Sequence, residues 1–221
     1  MAWFSKHLIK CQLIYYTAGI TMRQSTKGGL DIDLALSISY DYESKMTYGI
    51  LLGCSEQQAN YIRARLAEMS CLATHPLLLP TILAGCIRSF LGRRGEELWL
   101  DLLAVEADSG LTNWPSADVL GRVKKPAKCK NYRKASEDVL GVIQSTTIWQ
   151  SHIDTLLLLI DSIQECNEFL HLEKRVEQTK AMVNAHMAIE ERLRFLRSKA
   201  KIMLVSLHSI EKRTGAQMTA V

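Results

Sequence analysis

A chain of 221 residues is long enough to bury a real core, either as one domain or as a small domain joined to an extended helical one. With 48% hydrophobic residues, 23% charged residues and four prolines, the composition excludes a disordered or low-complexity polypeptide. The net charge of +4 alone requires no polyanionic partner, and six scattered cysteines without a CxxC exclude a disulfide-dense secreted scaffold, which leaves free thiols in a reducing compartment.

Residues 1–30 show no decisive period. The segment "MAWFSKHLIKCQLIYYTAGI" has basic residues and an apolar patch, but Lys10 interrupts it and no small-residue cleavage site follows. It is therefore not read as a signal peptide, and the expected location is cytoplasmic or peripheral at a membrane, not secreted. "STKGG" at residues 25–29 reads as a loop. Residues 33–53 read as two extended runs around a polar turn at 41–44, since Leu34, Leu36, Ile38 and Tyr40 alternate with smaller or polar neighbours.

Ser55, with Gln58 three positions later, has the spacing of a capping box and predicts a helix over 56–72 with Ala59, Ile62, Leu66 and Met69 on one stripe. The longest uncharged window, 69–87, reaches the nominal length of a membrane span but contains Pro76 and Pro80. Pro76 keeps His75 out of helical geometry, so the window divides into a turn at 74–76 and a helix over 77–91 that tolerates Pro80 near its start. Leu78, Ile82, Leu83 and Ile87 then form a buried face. "GRRG" predicts an interruption before a further helical run in which Leu98, Leu102 and Val105 share a side. Gly110, Pro115 and Gly121 then open a linker of about 20 residues.

The C-terminal half changes character. Val139, Val142, Thr146, Trp149, Ile153, Leu156, Ile160, Ile163, Asn167 and Leu170 follow one another in alternating steps of three and four, as do Ile189, Leu193, Leu196, Ala200, Met203, Leu207 and Ile210. Steps averaging 3.5 residues keep an apolar seam facing a partner helix, so Trp149, Ile153, Leu156, Ile160, Ile163, Ile189, Leu193, Leu196, Met203, Leu207 and Ile210 are the candidate helix-association residues. Each segment spans roughly 50–60 Å at ~1.5 Å per residue. One very long helix is an alternative, but a turn within 164–174 lets the two seams satisfy each other. The expected fold is mainly α with a small N-terminal β element: an α+β domain over 1–110, a basic linker over 111–134, a coiled-coil-like helical hairpin over 135–214 and a tail over 215–221.

No catalytic constellation emerges. The six histidines form no HxxxH or HExxH pattern, and no GxxxxGK[ST], GxGxxG or GxSxG is present, so no enzyme activity, cofactor or metal is assigned. Cys166 and His171 are near in sequence but read as a surface thiol and a surface imidazole. Glu96, Glu97, Asp101, Glu106 and Asp108 form an acidic strip that could offer oxygens to a divalent cation, although a solvated helix face explains it as well. Trp99, Trp114 and Trp149 read as packing or anchoring residues. Seven basic residues and no acidic ones lie between Arg122 and Lys134, and ten against four Glu lie between Lys174 and Arg213. Such stretches can meet lipid or nucleic-acid phosphates, but without an aromatic ladder an anionic membrane surface is a possible partner and nucleic acid a disfavoured one.

The order of these parts, with "YDYESKMTYGILLG" at 40–53 and "HPLLLP" at 75–80 followed by two heptad helices, resembles a group of uncharacterised fungal proteins. Their helical region is similar to the cytosolic part of CorA-type divalent-cation transporters. In those transporters a stalk helix leads into two membrane helices and a Gly-Met-Asn tripeptide. This sequence has neither, so the resemblance does not extend to the residues that carry ions. Three expectations follow: a non-catalytic helical module that associates with itself or with a full-length CorA-like relative, a truncated gene product of a CorA-like membrane cation transporter, or a binder of polyanions through the basic linker.

Overall fold

The computed structural model describes residues 2–8, 13–22, 32–41, 46–73, 75–109, 132–172 and 180–220. Four strands, β1 (Ala2–Leu8), β2 (Leu13–Met22), β3 (Ile32–Asp41) and β4 (Met46–Leu52), form an antiparallel meander in the order β1-β2-β3-β4. The expected pair over 33–53 is present as β3 and β4, and residues 1–30 supply two further strands that periodicity alone did not reveal. Ile14, Tyr15, Tyr16, Thr17, Ile20 and Thr21 are the β-branched and aromatic residues that favour a pleated surface. Register places Tyr16 opposite Ile38 and Ile38 opposite Gly49. Leu36, Ile38 and Tyr40 lie on the buried face.

Gly53 ends β4 with φ of 75°, a left-handed conformation that side chains resist. Helix α1 (Glu56–Glu68) then begins with the predicted capping box: the Gln58 amide donates to Ser55 Oγ at 3.3 Å, and the Ser55 amide donates to Gln58 Oε1 at 2.7 Å. The helix is shorter than the sequence suggests, because one 3-10 turn (Ser70–Leu72) follows it. Of its predicted stripe only Ile62 is buried.

Three long helices follow: α2 (Leu78–Ser109), α3 (Tyr132–Leu172) and α4 (Lys180–Ala220). The mainly helical fold with a terminal sheet and a long antiparallel hairpin is as expected, while α3 starts before residue 135 and the supposed tail at 215–220 belongs to α4. Most of the basic linker lies outside the described residues. The compact units do not follow sequence blocks: one comprises residues 1–88 and 155–198, the other 89–154 and 199–221, so α2, α3 and α4 each contribute to both.

Helix α2 departs most from expectation. "GRRG" does not interrupt it; Gly92 and Gly95 are helical. Pro80, the third residue of α2, costs little because the first amides of a helix have no internal acceptor. In the first unit Gly85 faces α4, where an added Cβ would lie 4.0 Å from Leu196, and Asp161 of α3 pairs with Arg197 of α4. In the second unit Gly92 faces Met203 of α4 and Gly95 faces Trp149 of α3. The pairings Gly92–Met203 and Glu106–Arg213 run α2 parallel to α4. The second unit is thus a three-helix bundle, with α2 joining the hairpin that the sequence predicts.

The reason for glycine at 95 is specific. A Cβ there would approach Trp149 Cη2 to 2.7 Å, and the ring cannot swing away because its Nε1–H donates to the Leu91 carbonyl at 3.0 Å. Gly141 of α3, by contrast, has nothing within 4 Å of an added Cβ. Gly141→Ala should therefore raise stability by about 1 kcal/mol, as expected for an exposed helical glycine, and Gly95→Ala should lower it by about 1–3 kcal/mol through overpacking. Urea unfolding of the two variants checks this; stabilisation by both would contradict the proposed ring lock.

Candidate association surface

The eleven predicted seam residues are all buried within the chain, none more than 7% exposed. Leu156, Ile160, Ile163, Ile189, Leu193 and Leu196 belong to the first unit, and Trp149, Ile153, Met203, Leu207 and Ile210 to the second. They form intramolecular core, so a second copy could not reach them without opening the fold. Polar seam positions are mostly satisfied locally: Thr146 and Thr214 donate to the carbonyls of Ile143 at 2.7 Å and Ile210 at 2.6 Å. Asn167 is the exception, with neither amide atom hydrogen-bonded among the described residues.

The acidic strip does not converge. Glu97 pairs with Arg94, and Glu106, 4% exposed, receives a two-pronged bond from Arg213, whose Nε–Oε1 distance is 2.8 Å. The same guanidinium lies 4.6 Å from the centre of the Trp99 ring. The pair is part-buried, and with the Trp99 ring it holds Arg213 of α4 against α2. Asp101 lines a cleft of about 370 Å³ with Val105, Glu137, Asp138, Gly141 and Ser145. Burial pushes its carboxyl above the ordinary range, Arg94 opposing and Glu97 adding to the shift. Among the described residues no group of three or more His, Cys, Asp or Glu is placed to hold a metal.

Several arginines of the basic stretches are engaged where they are described. Arg133 pairs with Glu137, Arg194 with Glu190 and Arg197 with Asp161. The acceptor-rich surroundings of these guanidinia argue against a continuous phosphate-binding face. The side chain of His171, and all of Trp114, fall outside the described residues. Among the described residues, Cys54, Cys71, Cys86 and Cys166 form no disulfide. No described helix is long and apolar enough to cross a membrane.

The opening of α2 is a built corner. The Leu77 amide donates to His75 Nδ1 at 3.2 Å, and Thr81 Oγ1 donates to the Leu77 carbonyl at 2.8 Å. His75 is 2% exposed, with its ring centre 6.2 Å from that of His186. Burial, reinforced by His186, lowers its pKa to about 4.

One surface open to a partner is a sheet edge. Met46, Tyr48, Ile50 and Leu52 alternate along β4 and are 52–66% exposed on one face, while Leu51 turns to the other. Across from them on β3 stand Asp41, Ser39, Ser37 and Ala35. The apolar row is therefore confined to the edge strand. Gly49 opposes Ile38 on the buried face, where an added Cβ would meet Leu79 Cδ2 at 2.6 Å. Sequence reasoning recognised β4 but not its outward apolar row, since alternation shows two faces and only packing shows which is covered. No family model, curated protein or solved structure matches the chain, so the resemblance to CorA-type cytosolic regions gains no support from them.

His75 generates a pH dependence of definite sign. The unfolded chain takes up a proton near pH 6.5 that the folded chain refuses down to about 4, so stability is fully present above 6.5 and falls as pH drops through that window. The loss should approach ~3 kcal/mol. His75→Asn, whose Oδ1 can still accept from Leu77, should flatten the dependence of the urea midpoint between pH 7 and 4.5; an unchanged slope would contradict the buried neutral imidazole.

Proposed function

We propose that this chain is a non-catalytic assembly module that associates with copies of itself. The observation that carries the reading is the exposed row Met46, Tyr48, Ile50 and Leu52 on a sheet edge, in a chain whose heptad seams are already buried. Edge strands offer unpaired backbone donors and acceptors, and soluble proteins usually protect them with charge, proline or a bulge. β4 contains no charged residue and no proline. The helices act as a scaffold that fixes this edge, and the CorA-like resemblance supplies the kind of relative, with a similar cytosolic region, that could serve as a second partner.

Light scattering over roughly 1–200 µM spans the affinity range of weak protein contacts. A molar mass rising above the 24.9 kDa of one chain is expected. A mass fixed at that value throughout would refute self-assembly.

A further inference from the structure

We infer that two copies join through antiparallel pairing of their β4 strands, centred on Gly49, into one eight-stranded sheet. This rests on the self-assembly reading and specifies its surface and register.

The strand is self-complementary under a two-fold axis. With Gly49 opposite Gly49, Met46 falls opposite Leu52 and Tyr48 opposite Ile50 of the other copy. Residues directly opposite in an antiparallel pair project to the same face. The two exposed rows therefore merge into one patch of eight apolar side chains, with no charge placed against another. The symmetric arrangement satisfies the requirement that an isologous interface present the same surface from both copies.

The other edge suits the role less well. β1 contains Lys6, a charge that opposes pairing at an edge. Exposed apolar residues on the helices, such as Leu158 in the first unit and Val205 in the second, are also available. They lack an unpaired backbone edge, since helical amides and carbonyls bond within the helix.

The area is modest. At roughly 150–200 Å² for a fully exposed side chain of this size, the observed exposures leave about 400 Å² of apolar face per copy. Lateral pairing covers only the flanks of these side chains, so the apolar area buried is well under half the contribution of each partner to a standard interface, and the newly paired backbone edge adds to it. The expected product is a reversible dimer in exchange with monomer.

Charge exchange across the register provides the test. Tyr48→Glu and Ile50→Lys each put an ion opposite an apolar residue of the second copy, so each variant alone should show at least about a tenfold weaker dimer. Mixed in equal amounts at low salt, they should restore heterodimer, because Glu at 48 then faces Lys at 50. Both positions are exposed, and circular dichroism should show an unchanged fold and thermal midpoint. Weakened singles without rescue would overturn the register. Full dimerisation by both singles, with loss in Leu158→Lys or Val205→Lys, would overturn β4 pairing while leaving self-assembly intact. A monomeric wild type would remove both.

Discussion

Close approach of α2 to its neighbours is the constraint on which the helical architecture depends. Its glycines at 85 and 92 are one heptad apart, and so are the α4 residues they face, Leu196 and Met203. An added Cβ at either position would meet its α4 neighbour at ordinary van der Waals distance, 4.0 Å at Leu196 and 3.7 Å at Met203, so neither glycine is required by the packing. Gly95 is the one that packing requires, because a Cβ there would run into Trp149, whose indole hydrogen bond to Leu91 fixes the ring against α2. Glycine is unfavourable in an isolated helix by roughly 1 kcal/mol, and the packing it permits offsets that cost.

The functional consequence follows from where apolar surface is used. Two seams and a third helix satisfy one another, and the part-buried Glu106–Arg213 pair ties α4 to α2. Heptad residues that suggest intermolecular association are thereby removed from it. Glu97 and Glu106 of the acidic strip, and several guanidinia of the basic stretches, are engaged in ion pairs. Among the described residues the fold leaves exposed the outer side of β4, which carries large apolar groups next to the serines of β3, together with apolar residues on the helices such as Leu158 and Val205.

Much of the fold was legible. Steps of three and four identified the buried positions of α3 and α4, and Ser55 with Gln58 located the start of α1. The failures have physical causes. "GRRG" looked like an interruption because local propensity counts glycine as a breaker, whereas at Gly95 the tertiary contact with Trp149 decides. β1 and β2 have β-forming residues but no clean alternation, so their pairing depends on neighbours distant in sequence. The candidate surface was the least legible part: "MTYGILL" shows a strand, but its exposure depends on β4 lying at the edge and on α2 covering the Gly49 side. The seam was legible as a packing surface, yet periodicity does not distinguish a partner helix in the same chain from one in another.

Hydrogen exchange as a function of protein concentration addresses the central claim most directly, since it reports which backbone amides acquire protection on assembly. The predicted result is protection that grows with concentration in residues 46–52 and stays constant in the seam segments 149–163 and 189–210. Concentration-dependent protection of the seams, with residues 46–52 unchanged, would show that the helices open to join copies and would contradict a closed helical scaffold presenting a sheet edge.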